Sequence, residues 1–374
     1  MNGEQYRVMR SPRGKILVIG LVAIIAVASI AVLTAPRPKI IVYTYDSFMV
    51  WGDDPESIDD IILGPFERAY GVDVEIVRLQ TDATGIVARL VAEAQRPIAD
   101  VVIGIDNILI LREQTRAVLE PYTPDNLSVI DPELISMLDS EHYLLPFDYG
   151  VVCLVYPANV INETTHPQLT SLNFDHLATV EFASMLVTEN PHFSSPGLSF
   201  LLSEIAYYEK LNNANWTDWW ASVRGHINVQ EGWSQAWTVW YEDPTRHLLV
   251  SYGTDPAYSA YYAGGVPDIR AVGITHNGTV YGWLQVEGIG LVKGGPHPEL
   301  GRALIDYFLS AEVQRHIPLN QWMFPANRYA PLPAVFDYAL QPGDVTPFNT
   351  LFTPTEIATN LASWLDEWDA IMLT

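Results

Sequence analysis

Between residues 40 and 105, three short apolar runs alternate with two stretches of helical spacing. That alternation restricts the fold more than any other feature of the chain. Residues 40–44 (IIVYT) are β-branched and aromatic, which favours a buried strand. Residues 57–70 (SIDDIILGPFERAY) read as helical, with a break expected at Gly64-Pro65. Residues 72–78 alternate apolar and polar as a strand does, and residues 85–94 (GIVARLVAEA) return to helical spacing. Residues 99–105 (ADVVIGI) form the third strand. Strands joined through helices run parallel, so the expectation is an α/β fold. In such a sheet ligands gather at the carboxyl ends of the strands. The first strand ends in Tyr45, Asp46 and Ser47, and Tyr45 and Asp46 are expected to face a ligand. The second reaches a strand-to-helix junction at residues 79–82, and the third ends in Asp106-Asn107.

Two later stretches are too long for single buried strands of one sheet half. Residues 144–157 and 281–292 are extended throughout, and each is expected to carry the chain from one lobe to another. The total of 374 residues is enough for two α/β lobes. Between these stretches, residues 161–190 read as polar and helical. Residues 198–208 read as an apolar helix, with Ser194 or Ser195 as its cap and Pro196 in its first turn. A cap of that kind can also hold a hydroxyl or phosphate on free backbone N–H groups. Trp233, Trp237 and Trp240 fall at helical spacing and read as a packing stripe. Residues 251–258 (SYGTDPAY) differ, because they mix aromatics, hydroxyls and an acid at a strand end. That mixture suits a flat cation, which wants a π face and a carboxylate together. Residues 298–309 read as a helix, 320–325 as an aromatic loop and 363–372 as a closing amphipathic helix. No internal repeat or low-complexity tract is evident.

The ends and the charge set the compartment. Residues 16–33 are apolar and uncharged, and Arg7, Arg10, Arg13 and Lys15 precede them. This is the expectation for an uncleaved transmembrane anchor with residues 1–15 in the cytoplasm and residues 34–39 as a short tether. The bulk of the chain then lies outside the cell membrane. Asn126, Asn162, Asn215 and Asn277 stand in glycosylation sequons, which fit an exported chain. The formal net charge is −24, and the part after residue 39 is more acidic still, because six of the twenty basic residues precede it. That disfavours nucleic acid as a partner. The single cysteine, Cys153, excludes an internal disulfide; its neighbours Val152 and Leu154 read it as a small buried hydrophobe.

Several short motifs follow one another in order: residues 42–48 (VYTYDSF), 104–107 (GIDN), 146–150 (PFDYG), 195–197 (SPG), 232–234 (GWS), 284–287 (LQVE), 322–325 (WMFP), and the ending from residue 352 (FTPTE) to Trp364 and Trp368. Together they resemble the thiamine-binding proteins of bacterial thiamine ABC importers, from about residue 40 to the C-terminus. The resemblance implies a two-lobed type II periplasmic-binding-protein fold with a hinge and an interlobe cleft. One lobe would comprise residues 40–147 and 284–322, the other 148–283 and 323–374. It implies a monomer that binds thiamine or its phosphates and docks on an ABC permease with a cytoplasmic ATPase. It implies no cofactor and no resident metal. Thiamine pairs a cationic thiazolium with a flat aminopyrimidine and a hydroxyethyl arm. Tyr45, Trp51, Tyr258 and Trp322 match the family's aromatic positions, and Trp233 matches a pocket tryptophan. Asp82 and Ala83 match a pair at the second junction, and Ser194 and Ser195 match hydroxyls that would meet the arm or its phosphate. Tyr252, Gly253, Thr254 and Asp255 match a four-residue binding turn.

The chain departs from the family at three points. The spacing from Phe48 to Trp51 is one residue shorter, Gly253 and Asp255 stand where hydroxyl residues are usual, and an anchor replaces a freely diffusing protein. Asp255 would help a cation and oppose a phosphate. Two other readings use the same scaffold. One is a receptor for ferric iron or a polyamine. The other is an enzyme resembling thiaminase I, for which Cys153 would have to act as nucleophile.

Overall fold

The computed structural model of the protein describes residues 37–373. The expected anchor, residues 16–33, and most of the tether lie outside the described residues. Among the described residues no helix is long and apolar enough to cross a membrane.

The first half builds the alternation expected of it. Strand β1 (Lys39–Thr44) leads to helix α1 (Ile58–Tyr70), strand β2 (Asp73–Arg78), helix α2 (Ala83–Ala92) and strand β3 (Val101–Asp106). β1 pairs in parallel with both β2 and β3. Helices cover a parallel sheet on both faces, which is why all six residues of β3 are buried. The expected break in α1 does not occur: the helix runs on with Pro65 inside it and stops at Gly71, whose φ of 66° closes the last turn. Pro65 removes one N–H, and the residue four earlier, Ile61, lies on the exposed side where water can replace it.

Strand β4 (Leu145–Pro157) then begins the second half. Strand β5 (Leu186–Glu189), helix α3 (Ser195–Ile205), strand β6 (Asn228–Gln230), helix α4 (Trp233–Glu242), strand β7 (Leu248–Tyr252) and helix α5 (Asp255–Ala263) repeat the same logic. β5 pairs in parallel with β6 and β7. Residues 161–190 correct the helical reading: they hold two short helices, Phe174–Leu177 and Val180–Met185, and end in β5. Every residue of β5 is buried, and a short run of that kind carries no period to separate strand from helix.

The chain returns through strand β8 (Thr279–Val292), helix α6 (Pro298–Phe308) and the long helix α7 (Pro354–Met372). α7 begins well before the helix expected at residue 363, because Thr353 caps it by accepting from the Glu356 N–H at 3.1 Å. The sheet order is β2-β1-β3-β8-β4-β7-β5-β6. β8 is antiparallel to β3 over residues 287–291, and to β4 over residues 283–289. β4 in turn is antiparallel to β7 over residues 152–155. The two long strands therefore cross together from one parallel half to the other. The crossing falls where Glu287 stands opposite Asp148, and the β8–β4 register shifts after Glu287.

Candidate functional site

The carboxyl ends of parallel strands in both halves point at one place. Tyr45 follows β1, Asp82 starts α2 after β2, Ser195 starts α3 after β5, Trp233 starts α4 after β6, and Tyr252 ends β7. They line a cavity of about 760 Å³, its open mouth included.

Its walls are aromatic. Trp51 meets Trp233 edge-on at 5.4 Å, and Trp233 meets Trp237 at 5.4 Å, one turn further along α4. Tyr258 stands edge-on to Trp237 at 5.9 Å and to Trp322 at 5.3 Å. Trp322 adopts a φ of 56°, a left-handed conformation that a bulky residue rarely takes. Its indole N–H donates to the Trp51 carbonyl at 2.9 Å, which fixes the ring.

Three carboxylates face the space: Asp82, Asp255 and Glu287. Among the described residues no Lys, Arg or His lines it. Burial, the nearby Asp46 and Glu231 raise the Asp82 carboxyl to about 7, opposed by the Trp233 backbone N–H that it accepts. Burial likewise raises Asp255 to about 7, against hydrogen bonds from Ser251 and the Tyr252 backbone. One Asp255 carboxylate oxygen, Oδ2, is buried with no partner among the described residues. Glu287 is raised by burial too, although it accepts Tyr45 O–H at 2.8 Å and Gln285 N–H at 3.0 Å. Gln285 also donates to the Tyr252 hydroxyl at 2.9 Å, and Gln321 donates to Tyr45.

The two halves touch across this space. The Trp233 N–H reaches Asp82, and the Ser195 hydroxyl donates to Asp106. Tyr261 donates to Asp53 at 2.6 Å beside Trp51.

The structure brings together Tyr45, Trp51, Asp82, Ala83, Ser195, Trp233, Tyr252, Asp255, Tyr258 and Trp322 on the cavity wall. Four residues expected at the site are not on that wall. Asp46 is off the wall, and its charge helps raise the pKa of Asp82. Ser194 is the cap of α3, accepting the Gly197 N–H at 3.5 Å. Gly253 is held by its backbone, donating to the Val151 carbonyl of β4 at 2.7 Å and accepting from the Leu340 N–H of a loop at 2.7 Å. Thr254 is fully buried beside it. The wall also holds residues not expected at the site: Ser47, Gly104, Trp237, Glu287, Gln321 and Met323 among them. Trp237 shares the helical stripe of Trp233, and periodicity alone cannot tell a cavity wall from a core. Of that stripe only Trp240 is buried in the core. Glu287 sits in the strand motif of residues 284–287, and its place is set by strand pairing, which the sequence does not display. Cys153 is buried off the cavity wall, and burial pushes its thiol far up, which disfavours the thiolate that a nucleophile needs.

Comparison with known proteins bears on the fold and the family. The thiamine-binding periplasmic protein of Escherichia coli K12 is 27% identical over 90% of this chain and 94% of its own length. The protein of that name from Brucella abortus is 26% identical over 92% of this chain and 96% of its own. A solved periplasmic thiamin binding protein superposes with a TM-score of 0.74 at 27% identity, over 90% of this chain and 96% of that one. The ferric binding protein of Campylobacter jejuni shares the fold at 18% identity, with a TM-score of 0.67 over 89% and 99% of the two chains. Residues 51–315 match the bacterial extracellular solute-binding protein family, most of the chain, and the protein therefore belongs to that family.

Proposed function

We propose that this chain is the receptor of a thiamine importer, capturing thiamine outside the cell and delivering it to an ABC permease driven by a cytoplasmic ATPase. One observation carries the reading: an aromatic cavity between two half-sheets whose ionisable wall groups are carboxylates and tyrosines, with no basic side chain among the described residues. A flat cation satisfies both features, since it stacks on rings and answers acids. The names of the similar periplasmic proteins support the same ligand.

Closure follows from the ligand touching both halves. Tyr45, Trp51 and Asp82 come from the first, and Ser195, Trp233, Tyr252, Asp255 and Tyr258 from the second, so a bound ligand favours the closed state. The lobes are residues 40–147 with 284–322, and 148–283 with 323–374. Residues 16–33 hold the receptor at the membrane; their uncharged 18-residue length and basic flank support this. Ser195 meets the hydroxyethyl arm of thiamine. The ferric-iron reading has the shared fold behind it. Among the described residues, however, no group of three His, Cys, Asp or Glu is placed to hold a metal ion.

The test is intrinsic tryptophan fluorescence of the full chain, titrated with thiamine, its mono- and diphosphate, ferric iron and spermidine. Saturable quenching by thiamine at low micromolar concentration or below, with no product formed, is the expected result. A response to iron or spermidine and none to any thiamine form would replace this ligand with another.

A further inference from the structure

The wall residue with the most constrained surroundings is Glu287. It lies on β8, the strand that both halves share, at the point where the strand crosses between them. Its side chain is nearly buried, at 6% exposure, yet it faces the cavity. Tyr45 and Gln285 hold one carboxylate oxygen each, so its direction is fixed.

The groups around Glu287 are acids and phenols. Asp148 faces it from β4, Asp106 from the end of β3 and Asp82 from the start of α2. Tyr45 follows β1 and Tyr252 ends β7. Two carboxyls placed opposite each other in a buried site cannot both ionise without a compensating charge. Asp148 is fully buried and neither of its oxygens has a partner among the described residues, so it is the member that keeps its proton. Glu287 accepts two hydrogen bonds, which favour its ionised form, and it alone of the two meets the cavity. What it lacks is a positive charge.

We infer that Glu287 reads the charge of the ligand, and that the cavity takes up an organic cation by giving up the proton of this carboxyl. The inference rests on the receptor reading above. The Glu287 O–H bond breaks, the proton passes to solvent, and the carboxylate left behind pairs with the permanent charge of the thiazolium. A neutral analogue gains nothing from the exchange, so Glu287 sets the preference for charged over uncharged ligands. Burial raises the empty site's Glu287 to about 7, which puts the exchange in an accessible pH range.

The experiment is calorimetric titration of the full chain with thiamine, between about pH 6 and about pH 8, in pairs of buffers with different protonation enthalpies. Over that range the thiazolium charge does not titrate. The wild-type protein releases protons on binding, and its affinity falls by up to about tenfold per pH unit below about 7 for each proton displaced. Glu287→Gln keeps the size of the side chain and mimics its protonated form. It binds like wild type near pH 6, weaker by tenfold or more near pH 8, and releases about one proton fewer. Asp148→Asn keeps that proton release, which also shows that an uncharged change at the crossing leaves the site intact. Thiamine binding with no proton release would overturn the inference and leave the receptor reading standing. Loss of the release in Asp148→Asn but not in Glu287→Gln would overturn it too, by moving the proton to the other acid. Failure of the wild type to bind any thiamine form would overturn both.

Discussion

Trp233 makes three contacts that no other residue type reproduces together. Its ring meets Trp51 from the other half at 5.4 Å, its indole N–H donates to Ser251 at 2.9 Å, and its backbone N–H reaches Asp82. The first places a π face on the cavity and the second fixes the angle of that face. Trp233→Ala is expected to cost about 1–3 kcal/mol of thiamine affinity, by analogy with base stacking on aromatic side chains, or roughly 5- to 150-fold in Kd. A fluorescence or calorimetric titration reads it, and unchanged affinity would remove Trp233 from the site. Gly104 is a second residue with no substitute. Its φ is 99°, and a Cβ there would overlap the Tyr45 ring. Gly104→Ala therefore displaces the ring that holds Glu287, and lowers both Tm and thiamine affinity. A variant with wild-type Tm and affinity would mean that Tyr45 has room to move and does not shape the cavity.

At the scale of elements, the starts of α2 and α4 meet across the cavity. Asp82 precedes α2, and its carboxylate lies against the start of α4, close to Gly232 and the Trp233 backbone N–H. Gly232 leaves room for it: a Cβ there would lie 2.5 Å from Asp82 Oδ2. Its φ of −142° suits any residue, so Gly232→Ala does not strain the backbone. The carboxylate has to move instead, and the contact across the cavity is lost. The expected outcome is weaker thiamine binding with an unchanged unliganded Tm; equal affinity in the two proteins would show that closure does not depend on this contact. Elements of this kind were partly legible in the sequence. The parallel strands were, because each is short, apolar and followed by helical spacing. The shared long strands were, because 13 and 14 residues exceed what one sheet half needs. β5 was not, since a uniformly buried run has no period. The site divides the same way. Residues at strand ends, such as Tyr45, Asp82 and Ser195, follow from topology, whereas Glu287 depends on which strand lies opposite, and Trp237 on which side of a stripe is hollow.

The whole molecule carries these buried acids as a cost that changes with pH. Asp82, Asp255 and Glu287 are each raised to about 7, in every case chiefly by burial. In the unfolded chain such carboxyls titrate near about 4. Between about pH 4 and about pH 7 the folded protein therefore holds protons that the unfolded chain has released. Stability from these groups is fully present below the lower value and is lost as pH rises through the upper one. The unliganded protein is expected to melt at a lower temperature near pH 8 than near pH 5. The net charge of −24 pushes the same way, since self-repulsion grows as carboxyls ionise, so the slope alone does not identify its source. The ligand does. A cation in the cavity offsets the charge of Asp82, Asp255 and Glu287 but leaves the distant surface acids as they were. At a fixed saturating concentration, thiamine should raise Tm more near pH 8 than near pH 6, and Glu287→Gln should flatten that difference together with part of the unliganded slope. Scanning fluorimetry across the range decides the matter. A melting temperature that rises from pH 5 to pH 8 without ligand would mean that the cavity acids are ionised at no cost, and that burial does not control their protonation.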